Sequence, residues 1–344
     1  MITIRELADR LGVSPTTVSN VVNGRYEKVS EKTRQRIEAA IEETRFVQNM
    51  SLRVLSKNTS HIIGVVVYPH TEHEDTFLTD PFYGRFLGSV EKKLHDYHYV
   101  MMVYCSNDLD DIYRMVAGWN VDGVLAVNFY GAEYQELSDR IQKPVVAVDI
   151  QNREQVRYNV GIDDFHATYE MTRLLCSYGY RDIQPLFKAD TGADHDRFLG
   201  CCQAVADCGL APLSAPFLLL SDVRDERIPQ YEMMFRRKTD RTAWFFFADI
   251  YAVEAMHHFA NQGIRIPQEL GVVGFDNNRI ASLSVPPLTT VGQSIDRKAK
   301  TALQMLLRLI RGERVEPGIV DLETWPVLRG SIQNFQEDQP GEPR

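Results

Sequence analysis

The sequence predicts a small all-α head followed by a larger α/β body. Three short helical patterns, each with its own capping residue, lie within residues 1–46. From residue 61 onward, β-rich runs alternate with amphipathic helical stretches. The charge also divides there: residues 1–60 carry a net charge of +3 and the remainder −12. A chain of 344 residues is longer than one compact core usually grows, which favours two parts.

The first helix of the head begins after Thr3, where Thr3-Ile4-Arg5-Glu6 forms a capping box. Its apolar residues recur at the helical spacing i, i+3, i+4 and i+7, and they are Ile4, Leu7, Ala8 and Leu11. Gly12 follows them and ends the helix. This pattern predicts one buried stripe that faces a small core.

Two further helices complete the head. Ser14 caps the second, and Pro15 suits its first turn because the N–H that proline lacks would have had no partner there. Gly24 is placed for a left-handed C-terminal cap. Ser30 opens a third helix over Glu31–Glu43. The spacing of these three helices predicts a helix-turn-helix.

In a helix-turn-helix the second helix enters the major groove of DNA, and its outward residues near the N-terminus meet base edges. Those residues are Pro15, Thr16 and Asn20. Short hydroxyl and amide side chains on the flanks suit phosphate oxygens instead, and they are Thr3, Ser14, Thr17, Ser19, Asn23 and Ser30. The alternative is a three-helix module that binds another protein.

The body contains continuous apolar runs, which are typical of parallel strands covered on both faces by helices. The clearest are Ile62–Tyr68, Tyr99–Cys105, Gly123–Val127, Val145–Asp149, Trp244–Phe247 and Val272–Phe275. Their alternation with helical stretches predicts a doubly wound α/β fold.

Open α/β sheets bind ligands beyond the carboxyl ends of their strands. Asp149 and Asp276 stand at two such ends, Arg197 can donate in a fork, and Phe82 offers an apolar face. These groups suit a polyhydroxylated ring in a cleft. As alternatives, each Asp could only cap a helix, and Arg197 could only pair with Asp194 or Asp196.

The head resembles the lactose-repressor (LacI/GalR) family of bacterial transcription factors through "TIRELADRLGVSPTTVSNVVNG" and "VSEKTRQRIEAAIEE". The resemblance continues through "HIIGVVVYP", "DPFYGRFLGSVE", "VDGVLAV", "PVVAVDI", "DRFLG", "GIRIPQELGVVGFDN" and "PPLTTVGQSI" in the order that the family shows. It implies a periplasmic-binding-protein-like body over 61–335 with two subdomains, 61–161 plus 291–318 and 162–290 plus 319–334. Residues 336–344 are expected to be a disordered tail.

The resemblance also implies roles for particular residues. Residues 47–60 form a hinge in which Asn49, Leu52 and Leu55 reach the minor groove, with Leu55 as the apolar wedge. The implied effector pocket consists of Phe82, Asp149, Arg197, Asp249, Asp276 and Gln293. A homodimer would read a pseudo-palindromic operator of double-stranded DNA under the control of a small-molecule effector, with a sugar as the leading candidate.

Four departures from the family pattern affect these expectations. Leu52 replaces the usual Ala, and Ala248 stands where many sugar-responsive relatives carry Asn. Asn20 replaces Arg, which predicts adenine in place of guanine in the half-site. The segment 70–79 is longer than usual and should border the cleft. Its His and acidic residues lack the rigid spacing of a metal site, so no metal is predicted.

Other classes of protein find little support in the sequence. The five cysteines form neither a disulfide framework nor a zinc signature, so no cofactor is expected. The N-terminus lacks a signal-peptide pattern and no apolar run is long enough to span a bilayer, which predicts a cytoplasmic protein with no membrane partner. Nucleotide-binding and nucleophile motifs are absent, which argues against an enzyme. An α/β metabolic enzyme and a solute-binding sensor are the alternatives.

Overall fold

A computed structural model describes residues 2–22, 24–46, 59–69, 77–150, 156–211 and 218–336. These fall into two compact units, Met1–His61 and Ile62–Arg344, which correspond to the head and the body. Several sequence predictions lie outside the described residues: the contact of Asn23, the hinge contacts of Asn49, Leu52 and Leu55, the loop over 70–76 and the tail from residue 337.

The head contains three α-helices, Ile4–Leu11 (α1), Pro15–Val22 (α2) and Glu31–Thr44 (α3), and a 3₁₀ turn at Tyr26–Lys28. The predicted capping box is present: the backbone N–H of Glu6 donates to Thr3 Oγ1 at 3.2 Å, and that of Thr3 donates to Glu6 Oε2 at 2.8 Å. Gly12 ends α1 with a left-handed φ of 65°.

The second and third helices also begin where the sequence predicts. The hydroxyl of Ser14 accepts the backbone N–H of Thr17 at 3.1 Å, and that of Ser30 accepts the N–H of Thr33 at 3.4 Å. The apolar side of each helix is buried in one small core of Leu7, Ala8, Val18, Val21, Ile37 and Ala40. Burial of these side chains stabilises helices that would be marginal in isolation.

The first sheet of the body has the strand order β11-β5-β4-β3-β1-β2. These strands span Ile62–Val67 (β1), Val100–Cys105 (β2), Gly123–Val127 (β3), Val145–Val148 (β4), Tyr158–Ile162 (β5) and Gly318–Leu322 (β11). All pairings in this sheet are parallel. Its central strands β3 and β4 are buried throughout, which explains their unbroken apolar sequence.

The second sheet has the order β12-β10-β9-β8-β6-β7. Its strands span Asp182–Phe187 (β6), Leu218–Leu219 (β7), Thr242–Phe246 (β8), Gly271–Asp276 (β9), Thr289–Gln293 (β10) and Thr324–Val327 (β12). Only the edge strand β12 is antiparallel to its neighbour among the described pairings of this sheet.

Helices connect the strands of both sheets. They are Pro81–His95 (α4), Leu109–Gly118 (α5), Gly131–Ile141 (α6), Asp164–Ser177 (α7), Gly192–Asp207 (α8), Arg224–Arg237 (α9), Asp249–Asn261 (α10), Arg279–Leu283 (α11) and Ile295–Ile310 (α12). Helix α12 follows β10 of the second sheet but packs against α4 and against β3 and β4 of the first. The chain therefore crosses between the sheets immediately before α12.

Two details correct the sequence prediction. The boundary at residues 290 and 291 cuts through β10, which lies wholly in the second sheet, whereas β11 lies in the first. The sequence also did not identify β5, β6, β7, β10, β11 and β12 as strands, because charged, polar or proline residues interrupt their apolar pattern. Among the described residues, no helix is long and apolar enough to cross a membrane.

Candidate functional site

The predicted DNA-reading surface lies on α2 of the head. Pro15 and Thr16 are exposed at its N-terminus, and Asn20 is partly exposed one turn further along. Val18 and Val21 face the core. The helix therefore buries one side and leaves these polar and small residues accessible, as a recognition helix requires.

The hydroxyl side chains predicted to meet phosphates serve first as caps in this structure. Thr3, Ser14 and Ser30 each accept a backbone N–H at a helix start and remain exposed, whereas Thr17 and Ser19 are partly exposed on α2. Thr3 Oγ1 also donates to Glu6 Oε2 at 3.0 Å, and the hydroxyls of Ser14 and Ser30 share hydrogen bonds with those of Thr17 and Thr33. A phosphate contact would therefore have to replace or share these bonds.

A cavity of about 220 Å³ opens in the body where strands of both sheets end. The first sheet contributes Asn128 after β3 and Asp149 after β4. The second sheet contributes Phe187 at the end of β6, Asp276 at the end of β9 and Gln293 at the end of β10. This is the position at which open α/β sheets bind ligands.

The backbone at these strand ends is unusual. Asn128, Asp149 and Asp276 have φ values of 62°, 52° and 100°, in the left-handed region that non-glycine residues rarely adopt. Such conformations cost free energy and concentrate at ligand sites. All three residues with these conformations line the cavity.

A buried hydrogen-bonded chain connects the two sheets beside the cavity. The ammonium of Lys298, on α12, donates to both carboxylate oxygens of Asp149 at 2.6 and 2.7 Å and to Gln293 Oε1 at 2.7 Å. Gln293 Nε2 in turn donates to Asp276 Oδ1 at 2.6 Å. Lys298 is only 1% exposed. One ammonium therefore joins a carboxylate of the first sheet to an amide of the second.

A second buried ion pair centres on Arg197 of α8. Its Nε donates to Asp164 Oδ1 at 2.8 Å and its Nη1 to the carbonyl oxygen of Phe247 at 2.7 Å. Its guanidinium carbon lies 3.7 Å from the centroid of the Phe275 ring. Burial alone would lower the pKa of Arg197, but nearby carboxylates, with Asp164 first, raise it overall. The main partner is thus Asp164, whereas Asp194 lies 3.9 Å away.

Five of the six residues in the predicted effector pocket line this cavity: Phe82, Asp149, Arg197, Asp276 and Gln293. Asp249 does not line it. Its side chain is fully buried, and its oxygens accept the hydroxyl of Thr290 and the backbone N–H of Asn278, both at 2.6 Å. Ala248, one of the departures from the family pattern, does line the cavity.

The sequence did not single out several residues that line or support the cavity. They are Asp80, Tyr83, Asn128, Asp164, Phe187, Lys188, Asp194, Phe247 and Tyr251, with Lys298 beside them. Asp164 follows β5 in "VGIDD", so strand-end reasoning extended to that motif would have found it, whereas Asp80 in "DPFY" is recognisable only as a helix cap. No sequence signal marks Lys298, which has the appearance of one more cation of an amphipathic helix.

The cavity is rich in carboxyl groups with altered acidity. Burial, together with the charge of the neighbouring Asp276, raises the pKa of Asp80 to about 6. Burial also raises the pKa of Asp164 to about 6, against the opposing effect of Arg197. The pKa values of Asp194 and Asp276 are raised by the same cause. Each of these groups holds its proton more tightly in the folded chain than in the unfolded one.

This asymmetry predicts a pH dependence of stability. Because the pKa of Asp80 rises from 3.8 to about 6 on folding, its contribution favours the folded state at low pH and is lost as the pH rises through that interval. We expect the melting temperature of Asp80→Asn to change less than that of the parent between about pH 7 and about pH 5. Asn keeps the capping hydrogen bond to Phe82, so the helix start is preserved.

Asp225→Asn is the matched control for this measurement, since the side chain of Asp225 is 94% exposed. Thermal melts of the three proteins over this pH range compare them directly. An Asp80→Asn protein with the full pH response of the parent would show that Asp80 does not titrate in this way.

In the described part of the chain, no three His, Cys, Asp or Glu side chains converge to hold a metal ion. The fold and the cleft instead define a class of protein, a helix-turn-helix DNA-binding regulator with a ligand-binding body.

Comparison with known proteins characterises the head and the body separately. Residues 3–49 match the model of the bacterial regulatory proteins of the lacI family, and residues 172–332 match a periplasmic binding protein-like domain. The head therefore matches the DNA-binding domain of the lacI family, and the body is similar to a periplasmic binding protein-like domain, as the resemblance in the sequence predicted.

Individual relatives match along nearly the whole chain. The HTH-type transcriptional repressor PurR of Photobacterium profundum is 27% identical over 97% of this chain and 100% of its own length. The lac repressor dimer bound to operator and the anti-inducer ONPF has a TM-score of 0.83 at 20% identity, covering 96% of this chain and 99% of that one. The transcriptional regulator CelR in complex with cellobiose has a TM-score of 0.69 at 25% identity, covering 96% and 100%.

Proposed function

We propose that this protein is a homodimeric transcriptional repressor that binds a pseudo-palindromic operator and responds to a sugar-like effector in the cleft of its body. Its regulatory class follows from the match of its head to the lacI family. Its dimeric state, its operator symmetry and the chemistry of its effector are our inference. Catalysis is not part of the proposal, since the relatives are regulators and the cleft holds no nucleophile beside a general base among its lining residues.

The observation that carries effector control is the chain Asp149–Lys298–Gln293–Asp276. It ends on both sides in residues that line the cavity, one from each sheet. A ligand that bonds to Asp149 and Asp276 would therefore act on the junction between the two sheets. Coupling of this kind between an effector and DNA is worth about 1–3 kcal/mol in typical regulators.

The lining of the cavity supports a polyhydroxylated ligand. Carboxylate and amide oxygens accept hydrogen bonds from hydroxyl groups, and aromatic rings such as Phe82 and Tyr251 offer apolar faces. At about 220 Å³ the cavity is smaller than the roughly 300–1,000 Å³ common for ligand sites, which favours a small sugar over a long oligosaccharide. The cellobiose complex of CelR, a protein of the same fold, is consistent with a sugar.

An exposed apolar segment of the body supports the homodimer. Leu283 at the end of α11 is 66% exposed, and Val285 just after it is 86% exposed. Contiguous exposed apolar side chains usually mark an interface. A two-fold dimer uses the same patch on both copies, and a palindromic operator mirrors that symmetry. The lac repressor of similar fold was crystallised as a dimer on its operator.

Asn20 should select adenine at one position of each half-site. Its amide can donate to N7 and accept from N6 of adenine, whereas guanine offers two acceptors there. We expect in vitro selection of operators to return adenine at that position, and Asn20→Ala to lose about 1–3 kcal/mol of discrimination in gel-shift titrations. Selected sites that still demand guanine would contradict this role of Asn20.

The whole proposal is tested by gel shift with the selected operator, with and without candidate sugars. We expect the full-length protein to bind the operator as a dimer, with an affinity that falls steeply with salt because phosphate contacts dominate. A sugar that changes this affinity confirms effector control. A protein that binds no duplex DNA sequence above background would contradict the proposal.

A further inference from the structure

The walls of the cavity carry an excess of negative charge. Five aspartates line it, and they are Asp80, Asp149, Asp164, Asp194 and Asp276. Among the described residues, two cationic side chains line it, Lys188 and Arg197. Lys188 already forms an ion pair with Asp222, which is not among the lining residues. Even with the neighbouring Lys298 included, the carboxylates outnumber the cations.

Three of the five carboxylates have compensating donors. Asp149 is bound by the ammonium of Lys298, and Asp164 by the guanidinium of Arg197. Asp194 accepts two backbone N–H groups and lies 3.9 Å from Arg197. These three carboxylates therefore do not need a positively charged group from a ligand.

Asp80 and Asp276 are different, because their hydrogen-bond donors are neutral. Asp80 accepts the backbone N–H of Phe82 at 2.7 Å, and Asp276 accepts the side-chain amide of Gln293 at 2.6 Å. Within the described ranges, neither carboxylate forms a direct ion pair with a Lys, Arg or His side chain, but the charges of Arg197 and Lys298 lower the pKa of Asp276 and that of Lys188 lowers the pKa of Asp80. Both line the cavity, where Asp276 is buried and Asp80 is partly exposed.

These two carboxylates belong to opposite sides of the cleft. Asp80 immediately precedes α4, which packs against α12 and β2 beside the first sheet, whereas Asp276 ends β9 of the second sheet. Both line the same cavity, and the charge of Asp276 contributes to the raised pKa of Asp80. A cation placed between them would relieve this repulsion and connect the two sides.

The aromatic residues that line the cavity also favour a positively charged ligand. Phe82, Tyr83, Phe187, Phe247 and Tyr251 all line the cavity. Aromatic faces attract cations, and aromatic walls combined with carboxylates are a known way to bind ammonium groups. Rings around this cavity already contact cations: Lys298 Nζ lies 5.2 Å from the centroid of Phe82, and Lys188 Nζ 5.6 Å from that of Tyr251.

We propose that the effector of this cleft carries a protonated amino group, which binds between Asp80 and Asp276, and that phosphorylated or carboxylated effectors are excluded. This inference rests on the proposed function, because it specifies the chemical class of the ligand at the same site. An amino-bearing sugar meets both requirements of the lining. Its hydroxyl groups donate to the oxygen acceptors, and its ammonium group binds the two carboxylates.

The experiment uses the full-length protein and a deproteinised bacterial metabolite extract, separated by ion exchange into cationic, neutral and anionic pools. The measurements are the melting temperature of the protein and its affinity for the selected operator in the presence of each pool. Part of the cationic pool is treated with acetic anhydride, which removes the charge of primary amines. Operator binding without any pool tests the proposed function separately.

We expect the cationic pool to raise the melting temperature and to alter operator affinity, and acetylation to abolish both effects. Asp80→Asn should require at least about tenfold more of this pool for the same shift, because it removes one charged acceptor. Asp225→Asn, at an exposed site, should respond like the parent. The inference would be overturned if only the neutral or anionic pool changed the melting temperature and the operator affinity, or if the cationic pool changed neither. Operator binding without any pool would be unaffected by this result.

Discussion

Lys298→Met is expected to lower the free energy of unfolding of the body by about 3 kcal/mol, at the lower end of the range for a broken buried ion pair. The substitution keeps the bulk of the side chain but removes the ammonium that binds Asp149 and Gln293. A buried carboxylate and a buried amide oxygen then lose their donor. For a unit of this size the melting temperature should fall by roughly 6–12 °C.

Two companion variants separate this ion pair from a general effect of mutation. Lys300→Met replaces an exposed lysine on the same helix and should change stability by less than about 0.5 kcal/mol. Lys298→Met combined with Asp149→Asn removes both charges and should recover part of the loss. A single variant as stable as the parent would show that the ion pair contributes nothing to the fold.

Val285→Asp, combined with Leu283→Asp, is expected to convert the proposed dimer to a monomer and to weaken operator binding by roughly 10²-fold or more. Both side chains are mostly exposed in the single chain, so the charges should not disturb its own core. At a two-fold interface, each new carboxylate would be buried against its counterpart from the other copy. A monomer brings one head to the operator and loses the avidity of two.

Analytical ultracentrifugation measures the oligomeric state, and gel-shift titration measures the operator affinity. Met233→Asp is the matched control, because Met233 is also an exposed apolar side chain, on α9 of the body. It should remain dimeric with parental operator affinity. A doubly substituted protein that is still dimeric would place the interface elsewhere on the body.

The helices of the head were predictable from sequence almost residue by residue. Their signals are local: Thr3, Ser14 and Ser30 each cap a turn that lies within the next three residues, and Gly12 ends α1 through its own φ. The apolar spacing within each helix then determines which face is buried. No distant part of the chain is needed to specify these features.

The body was predictable where a strand has an uninterrupted apolar sequence, as the partly exposed edge strand β2 also does. The fully buried strands β5 and β10 were missed because polar residues and glycine interrupt their sequences. The strands β1, β3 and β4 have uninterrupted apolar sequences because helices cover both sides. Edge strands such as β11 and β12 face solvent for part of their length and contain charged or polar residues. Their assignment depends on which strand they pair with, and that information is not local.

The sequence by itself determined the class of protein, the division into head and body, and five of the residues at the cavity. Helix caps, apolar periodicity and strand ends are encoded within a few adjacent residues, so they can be recognised along the chain. Asp149 and Asp276 were found in this way because each ends a predicted strand, whereas Gln293 was implied by the family resemblance.

Only the tertiary structure decided how these residues are used. Lys298 meets Asp149 across 149 positions of sequence, and Arg197 pairs with Asp164 across 33. Asp249, which also follows a strand, is instead fully buried and bonded to Thr290 and Asn278. Whether a strand-end carboxylate faces a ligand, a cation or a backbone amide depends on the packing of distant elements. That packing also determines how much negative charge in the cleft remains for a ligand to neutralise.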